Sequence, residues 1–210
     1  MATTKAQRIG IWTIAIFMAV GTVGSFAIIA LANQNQTNDQ TRVNALTAQY
    51  GADVAEHDKK LSDLYYPQLS EQMSRVASFD KESVTELVSE DITVGDGEDL
   101  TEESSFTAYY IGWNSDGVVF DGSVDGESLK APIDVVPGGV IEGWTKGVAG
   151  MKVGGMRELT IPSELAYGEA SRGELIPANS PLKFIVMVIP TPEPVEVPQE
   201  LIKYYQTGRL

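Results

Sequence analysis

The sequence predicts an α+β fold: a twisted antiparallel β-sheet wrapped over one short helix, preceded by a transmembrane helix and a helical stalk. Three observations predict it. Residues 84–189 contain short alternating or apolar runs separated by Gly-, Asn- and Asp-bearing turns, the pattern of antiparallel strands. One short helical stretch, residues 140–149, interrupts them late, so the strands must fold over it to bury a common apolar face. Residues 9–32 (IGIWTIAIFMAVGTVGSFAIIALA) contain no charge over 24 positions.

Composition bounds the rest. A chain of 210 residues with 43% hydrophobic content holds one ordinary domain plus extra segments, or at most two small domains. The absence of cysteine excludes disulfides, zinc–thiolate sites and thiol catalysis. The net charge of −14, from 29 acidic against 15 basic residues, argues against a nucleic-acid surface and against a polybasic lipid contact beyond the N-terminal end. The acidity reads as solubility.

In chain order, residues 1–8 form a short tail carrying Lys5 and Arg8. Residues 9–32 are long enough to cross the ~30 Å hydrocarbon core as a helix. The next basic residue is Arg42, so the positive-inside rule keeps the N-terminus cytoplasmic and places the remainder outside, as a single-pass protein of the cell membrane. Cleavage as a signal peptide after Ala32 is the rival reading, since Ala30-Leu31-Ala32 offers a site; the apolar run is longer than such a signal needs. Residues 33–79 are a polar tether (NQNQTNDQ) followed by a helical stalk. Val43, Tyr50, His57 and Leu64 lie seven apart, a short coiled-coil pattern that Gly51 weakens and Pro67 ends. Weak self-association through the stalk or anchor is a corollary. His57, the single histidine, has no metal-ligating partner and reads as a solvated stalk residue.

Residues 80–190 are the folded domain. Strands are expected at residues 84–94, 105–112, 118–123, 129–136, 156–162 and 182–189, and the helix at residues 140–149. Residues 191–210 are a proline-rich spacer and a short C-terminal helix at 199–205, with Pro198 at its start. Polar catalysis finds no constellation: no Ser–His pair, no P-loop and no dinucleotide fingerprint. The run from Asp121 to Gly126 begins like a calcium loop, but its twelfth position is Pro132, so no metal or other cofactor is expected.

Four separated signatures fall in order: Val140-Ile141-x-Gly143-Trp144; Gly154-x-x-Arg157-x-Leu159-x-Ile161-Pro162; Ala166-Tyr167-Gly168; and Leu175-Ile176-Pro177-x-x-x-x-Leu182-x-Phe184. Together with Phe120-Asp121-x-Ser123 they resemble the FKBP family of peptidyl-prolyl cis-trans isomerases, over residues 84–189. The resemblance implies a half-barrel sheet over the helix and an isomerase of the FKBP type. It assigns catalytic positions to Tyr110, Phe120, Asp121, Ile141, Trp144 and Tyr167, and substrate-binding positions to Val140, Leu175, Ile176, Phe184 and Ile133. Trp144 would form the floor under the proline ring, with Tyr110, Phe120 and Phe184 as walls. The Ile141 N–H and the Tyr167 hydroxyl would donate to the substrate carbonyl.

The implied partners are proline-containing unfolded or newly exported polypeptides. The same cup holding a proline segment without turnover, as a tethered chaperone or scaffold, is the alternative. The chain departs from the family pattern at Gly139, where a glutamate is frequent, at Ile133, where an aromatic wall residue is usual, and at Arg172, where a histidine is often found. The loop from Tyr167 to Ile176 has no room for an inserted chaperone domain.

Overall fold

A long helix and a two-sided sheet set the architecture. The computed structural model describes the backbone of residues 5–209, and residue 34 and residues 36–209 in full. It divides into two units, one comprising residues up to Val54 with those from Val195, the other Ala55–Pro194.

Helix α1 (Lys5–Glu71) is continuous, so the expected polar tether at 33–40 is helical instead. Asn, Gln and Thr each disfavour a helix by less than about 0.7 kcal/mol, too little to open one flanked by better formers. Here they also bond along it, Thr41 Oγ1 to the Thr37 carbonyl at 2.9 Å and Gln40 Nε2 to Asn44 Oδ1 at 3.0 Å. Pro67 does not end the helix but lies inside it, followed by one last turn and a 3-10 turn, Gln72–Arg75. Among the described residues no helix is long and apolar enough to cross a membrane. The span expected at 9–32 lies in the part of α1 whose side chains are outside the described residues.

In the first unit the C-terminal helix (Gln199–Thr207) starts after Pro198, the proline the sequence pointed to. It is bound to α1 by Arg42, whose guanidinium donates to both Glu200 oxygens at 2.6 and 2.9 Å, and by Tyr204, which donates to Gln40 Oε1 at 3.1 Å. Val43 and Leu201 are buried there.

The second unit contains β1 (Val88–Thr93), β2 (Phe106–Trp113), β3 (Val119–Gly122), β4 (Val124–Asp125), β5 (Ser128–Leu129), β6 (Ile133–Val135), helix α2 (Glu142–Val148), β7 (Met156–Ile161) and β8 (Leu182–Ile189). The sheet order is β1-β7-β8-β2-β3 with β6 paired to β2, all antiparallel; β4 and β5 form a separate hairpin. The helix numbered last, Gln199–Thr207, is α3.

Alternation along the strands builds two cores. Ala108, Leu159, Ile161, Leu182, Phe184, Val186 and Val188 face α2, where they meet Trp144 and Val148. Tyr109, Ile111, Trp113, Ile185, Met187 and Ile189 face the other way and are covered by Leu69, with Tyr65, Tyr66, Val76 and Phe79 packed around them. Burial on both sides is why β8 reads as a continuous apolar run from Phe184 to Ile189 and not as an alternating one. The helix face that covers the sheet carries Ser62, Tyr65, Tyr66 and Leu69, spaced for one side of a helix. Ser62 is buried and its hydroxyl accepts from the Leu129 N–H at 2.7 Å. The heptad reading does not extend to Leu64, which is 58% exposed. The unit therefore begins at Ala55, well before Asp80.

Arg157 locks α2 onto the sheet. It is buried, its Nε donates to Asp91 Oδ1 at 2.6 Å, and its Nη1 donates to the Gly147 and Ala149 carbonyls at 2.9 and 3.0 Å. A cation there satisfies the open carbonyls at the helix C-terminus and complements its dipole.

Candidate active site

Pairing of β2 with β8 sets Gly112 opposite Phe184 and Tyr110 opposite Val186, and pairing with β3 sets Gly112 opposite Asp121. A Cβ at Gly112 would stand 2.6 Å from the Phe184 ring and 3.0 Å from that of Phe120. Glycine at that position thus lets the two phenylalanines close edge to face, with centroids 5.6 Å apart. Trp144, on the first turn of α2, meets Tyr110 at 5.5 Å and Phe184 at 5.4 Å, both near perpendicular. Such contacts contribute about 0.5–1.5 kcal/mol each beyond area burial and fix the rings against each other.

Above these rings opens a cavity of about 450 Å³. It brings together Tyr110, Phe120, Asp121, Ile133, Val140, Ile141, Trp144, Tyr167 and Phe184, with Gly138, Gly139, Ala166 and Arg172 completing the wall. Leu175 and Ile176 are not brought to it. Ile176 is 7% exposed and packs into the core beneath α2, while Leu175 is 43% exposed. The cause is a tight turn in which the Arg172 N–H donates to the Ile176 carbonyl at 2.8 Å, so the Leu-Ile pair anchors the loop.

The polar groups of the cavity are few. The Tyr110 hydroxyl donates to Asp121 Oδ2 at 2.5 Å, and Asp121 Oδ1 accepts from the Gly122 N–H at 2.8 Å. Burial first, and then the bond to Asp121, push the Tyr110 hydroxyl well above its ordinary value, so it remains a protonated donor at all ordinary pH. Ser123, itself buried, fixes Tyr110 from behind: its Oγ accepts from the Tyr110 N–H at 3.0 Å and its N–H donates to the Tyr110 carbonyl at 2.8 Å. Ile141 caps α2 in an extended conformation, and among the described residues neither its N–H nor the Tyr167 hydroxyl has a hydrogen-bond acceptor. Among the described residues the cavity wall holds no histidine and no carboxylate pair, and its one hydroxyl–carboxylate pair, Tyr110–Asp121, keeps the proton on the tyrosine.

Sequence reading missed two contributors. Asn114 reads as a turn residue, yet it is buried and ties two loops together. Its Oδ1 accepts from the Asp116 and Val118 N–H groups at 3.1 and 3.0 Å, and its Nδ2 donates to the Leu175 carbonyl at 2.9 Å. Arg172, noted only as a departure, stacks its guanidinium 5.0 Å from the centroid of Tyr167. An asparagine two residues before an Asp-Gly turn carries a signal for the turn but none for the distant loop that it holds.

The model of the FKBP-type peptidyl-prolyl cis-trans isomerase family matches residues 97–189. An FK506-binding protein of Neisseria meningitidis serogroup A is 39% identical over 105 residues, spanning 49% of this chain and 94% of its own. A probable FK506-binding protein of Corynebacterium glutamicum is 39% identical over 106 residues, 50% of this chain and 86% of its own. The crystal structure of AtFKBP13 aligns at 34% identity over 50% of this chain and 93% of its own, with a TM-score of 0.45.

Proposed function

The chain belongs to the family of FKBP-type peptidyl-prolyl cis-trans isomerases, and from that premise we propose that the cavity over Trp144 catalyses rotation about X–Pro bonds in exported polypeptides. The barrier to rotation is amide resonance, roughly 18–20 kcal/mol. Twisting the bond breaks the resonance and leaves a group less like a planar polar amide, so a dry aromatic cup favours the twisted form over the ground state. The proline ring lies on Trp144, between Tyr110, Phe120 and Phe184. The free N–H of Ile141 and the free hydroxyl of Tyr167 hold the substrate carbonyl, and Asp121 keeps Tyr110 in place. The observation that carries the reading is the perpendicular ring set closed by Gly112, which makes an apolar floor.

Exchange spectroscopy on a proline peptide with substoichiometric full-length protein tests it. An isomerase produces cis–trans exchange cross-peaks; a chaperone or scaffold that only binds, the alternative function of the same cup, produces shifts without exchange.

The proposal extends to location. The charge-free run at residues 9–32, preceded by Lys5 and Arg8, anchors the protein in the cell membrane with its N-terminus cytoplasmic and the isomerase domain outside. Retention in the membrane fraction after alkaline carbonate washing, and digestion of the domain by protease added to spheroplasts, are the expected results. Release by the wash or full protection from protease would contradict them.

A further inference from the structure

Among the described residues the cavity wall carries one cation, Arg172, and it has no ion-pair partner. Within residues 55–194 every other lysine and arginine has a polar partner. Lys59, Lys60, Arg75, Lys81, Lys146, Lys152, Arg157 and Lys183 sit in ion pairs, and Lys130 donates to the Gly122 carbonyl at 3.0 Å. Among the described residues the Arg172 side chain has no hydrogen bond and no carboxylate partner, only the face of Tyr167. In a chain with 29 acidic residues against 15 basic ones, an arginine left without an acid at the mouth of a cavity is available to a ligand.

Its position is fixed. The loop turns back on itself through the Arg172 N–H to Ile176 carbonyl bond at 2.8 Å, the Ala170 N–H to Tyr167 carbonyl bond at 3.0 Å and the Asn179 N–H to Gly168 carbonyl bond at 2.7 Å. Asn114 holds its far side at Leu175. Stacking on Tyr167 removes further freedom from the guanidinium, which lowers the entropy lost when it pairs. Asp121 lines the same cavity but spends both oxygens on Tyr110 and Gly122.

From these observations, and resting on the isomerase reading above, we infer that Arg172 selects substrates with an aspartate or glutamate beside the isomerising proline. The chain's net negative charge opposes this at long range. At physiological salt that field is screened beyond about 8 Å, whereas a carboxylate touching Arg172 is not, so the local attraction wins. An exposed pair of this kind gives roughly a five-fold preference.

The test uses the full chain and matched peptides with Glu, Gln or Lys on either side of the proline. On one side the wild type should process the Glu peptide roughly five-fold more efficiently than the Lys peptide. The ratio should be eroded by 1 M salt, as a screened pair requires. Arg172→Lys should keep the preference, Arg172→Gln should bring the ratio close to unity, and Arg172→Glu should invert it. A wild type without Glu-over-Lys preference on either side, or a preference that survives in Arg172→Gln and Arg172→Glu, overturns the inference alone. Failure to accelerate any peptide overturns the isomerase reading and this inference together.

Discussion

The Tyr110 hydroxyl and the Asp121 carboxylate meet at 2.5 Å on the cavity wall, and the second Asp121 oxygen is bound by the Gly122 N–H. The pair links β2 to β3 and holds the Tyr110 ring near perpendicular to Trp144. Asp121→Ala frees the hydroxyl, and the loss of one such bond, about 1–1.5 kcal/mol, corresponds to roughly a ten-fold fall in kcat/KM. Asp121→Asn keeps an acceptor and should lose less. Kinetics on both variants, with thermal melts to show that they remain folded, check the order.

Tyr109, one residue earlier, faces the opposite core with its hydroxyl buried and unpartnered among the described residues. Tyr109→Phe removes an unsatisfied polar atom and should stabilise the protein by about 1 kcal/mol, read from the urea midpoint.

The same hydroxyl gives a pH dependence. Burial first, then the nearby Asp58 and Tyr65, push it up to about 12 from an ordinary value of 10. The folded state therefore keeps a proton that the unfolded state releases. Stability is thus unaffected by this group below pH 10 and falls as pH rises towards 12, where only the unfolded state ionises. Urea midpoints at pH 8 and pH 11 should fall further for the wild type than for Tyr109→Phe, because Tyr110 shifts in the same direction in both proteins.

Arg157→Met leaves the Gly147 and Ala149 carbonyls without their donor and Asp91 without its partner. A cost of about 2 kcal/mol is expected in the urea midpoint, since the carbonyls lose their donor while Asp91, its side chain 42% exposed, turns to water.

Cutting the chain at residue 80 removes Tyr65, Tyr66 and Leu69 from the outer core. A large apolar side chain contributes about 1.5–3 kcal/mol when fully buried, as Leu69 is, and the partly buried Tyr65, Tyr66, Val76 and Phe79 add less each, so the loss reaches the lower end of the 5–15 kcal/mol that holds a domain folded. A fragment of residues 55–194 should melt cooperatively, while one of residues 80–194 should bind a hydrophobic dye and show no sharp transition.

The α2 face was legible because each of its signatures is local. Gly143 and Trp144 mark the helix start, Arg157 the strand after it, and period-2 alternation carries Tyr110 and Phe184 to one side. The outer face was not read in advance. Its cover comes from α1, and Tyr65, Tyr66 and Leu69 resemble the tail of a stalk until the strand they cover is known. The local cost of Pro67 argues for a helix end there, whereas packing of the fully buried Leu69 holds one more turn beyond it. Leu175 and Ile176 follow the family motif in sequence, but their placement depends on a loop turn closed by Arg172 and Ile176 and on Asn114 some sixty positions earlier.

The most direct test of the aromatic cup is cis-to-trans relaxation of a Leu–Pro peptide by full-length wild type and by Trp144→Leu, each verified as folded by circular dichroism. The account predicts acceleration proportional to wild-type concentration, and a fall in kcat/KM of about ten-fold or more when the floor under the proline ring is lost. Equal acceleration by folded Trp144→Leu, or none by the wild type with any residue before the proline, would contradict it.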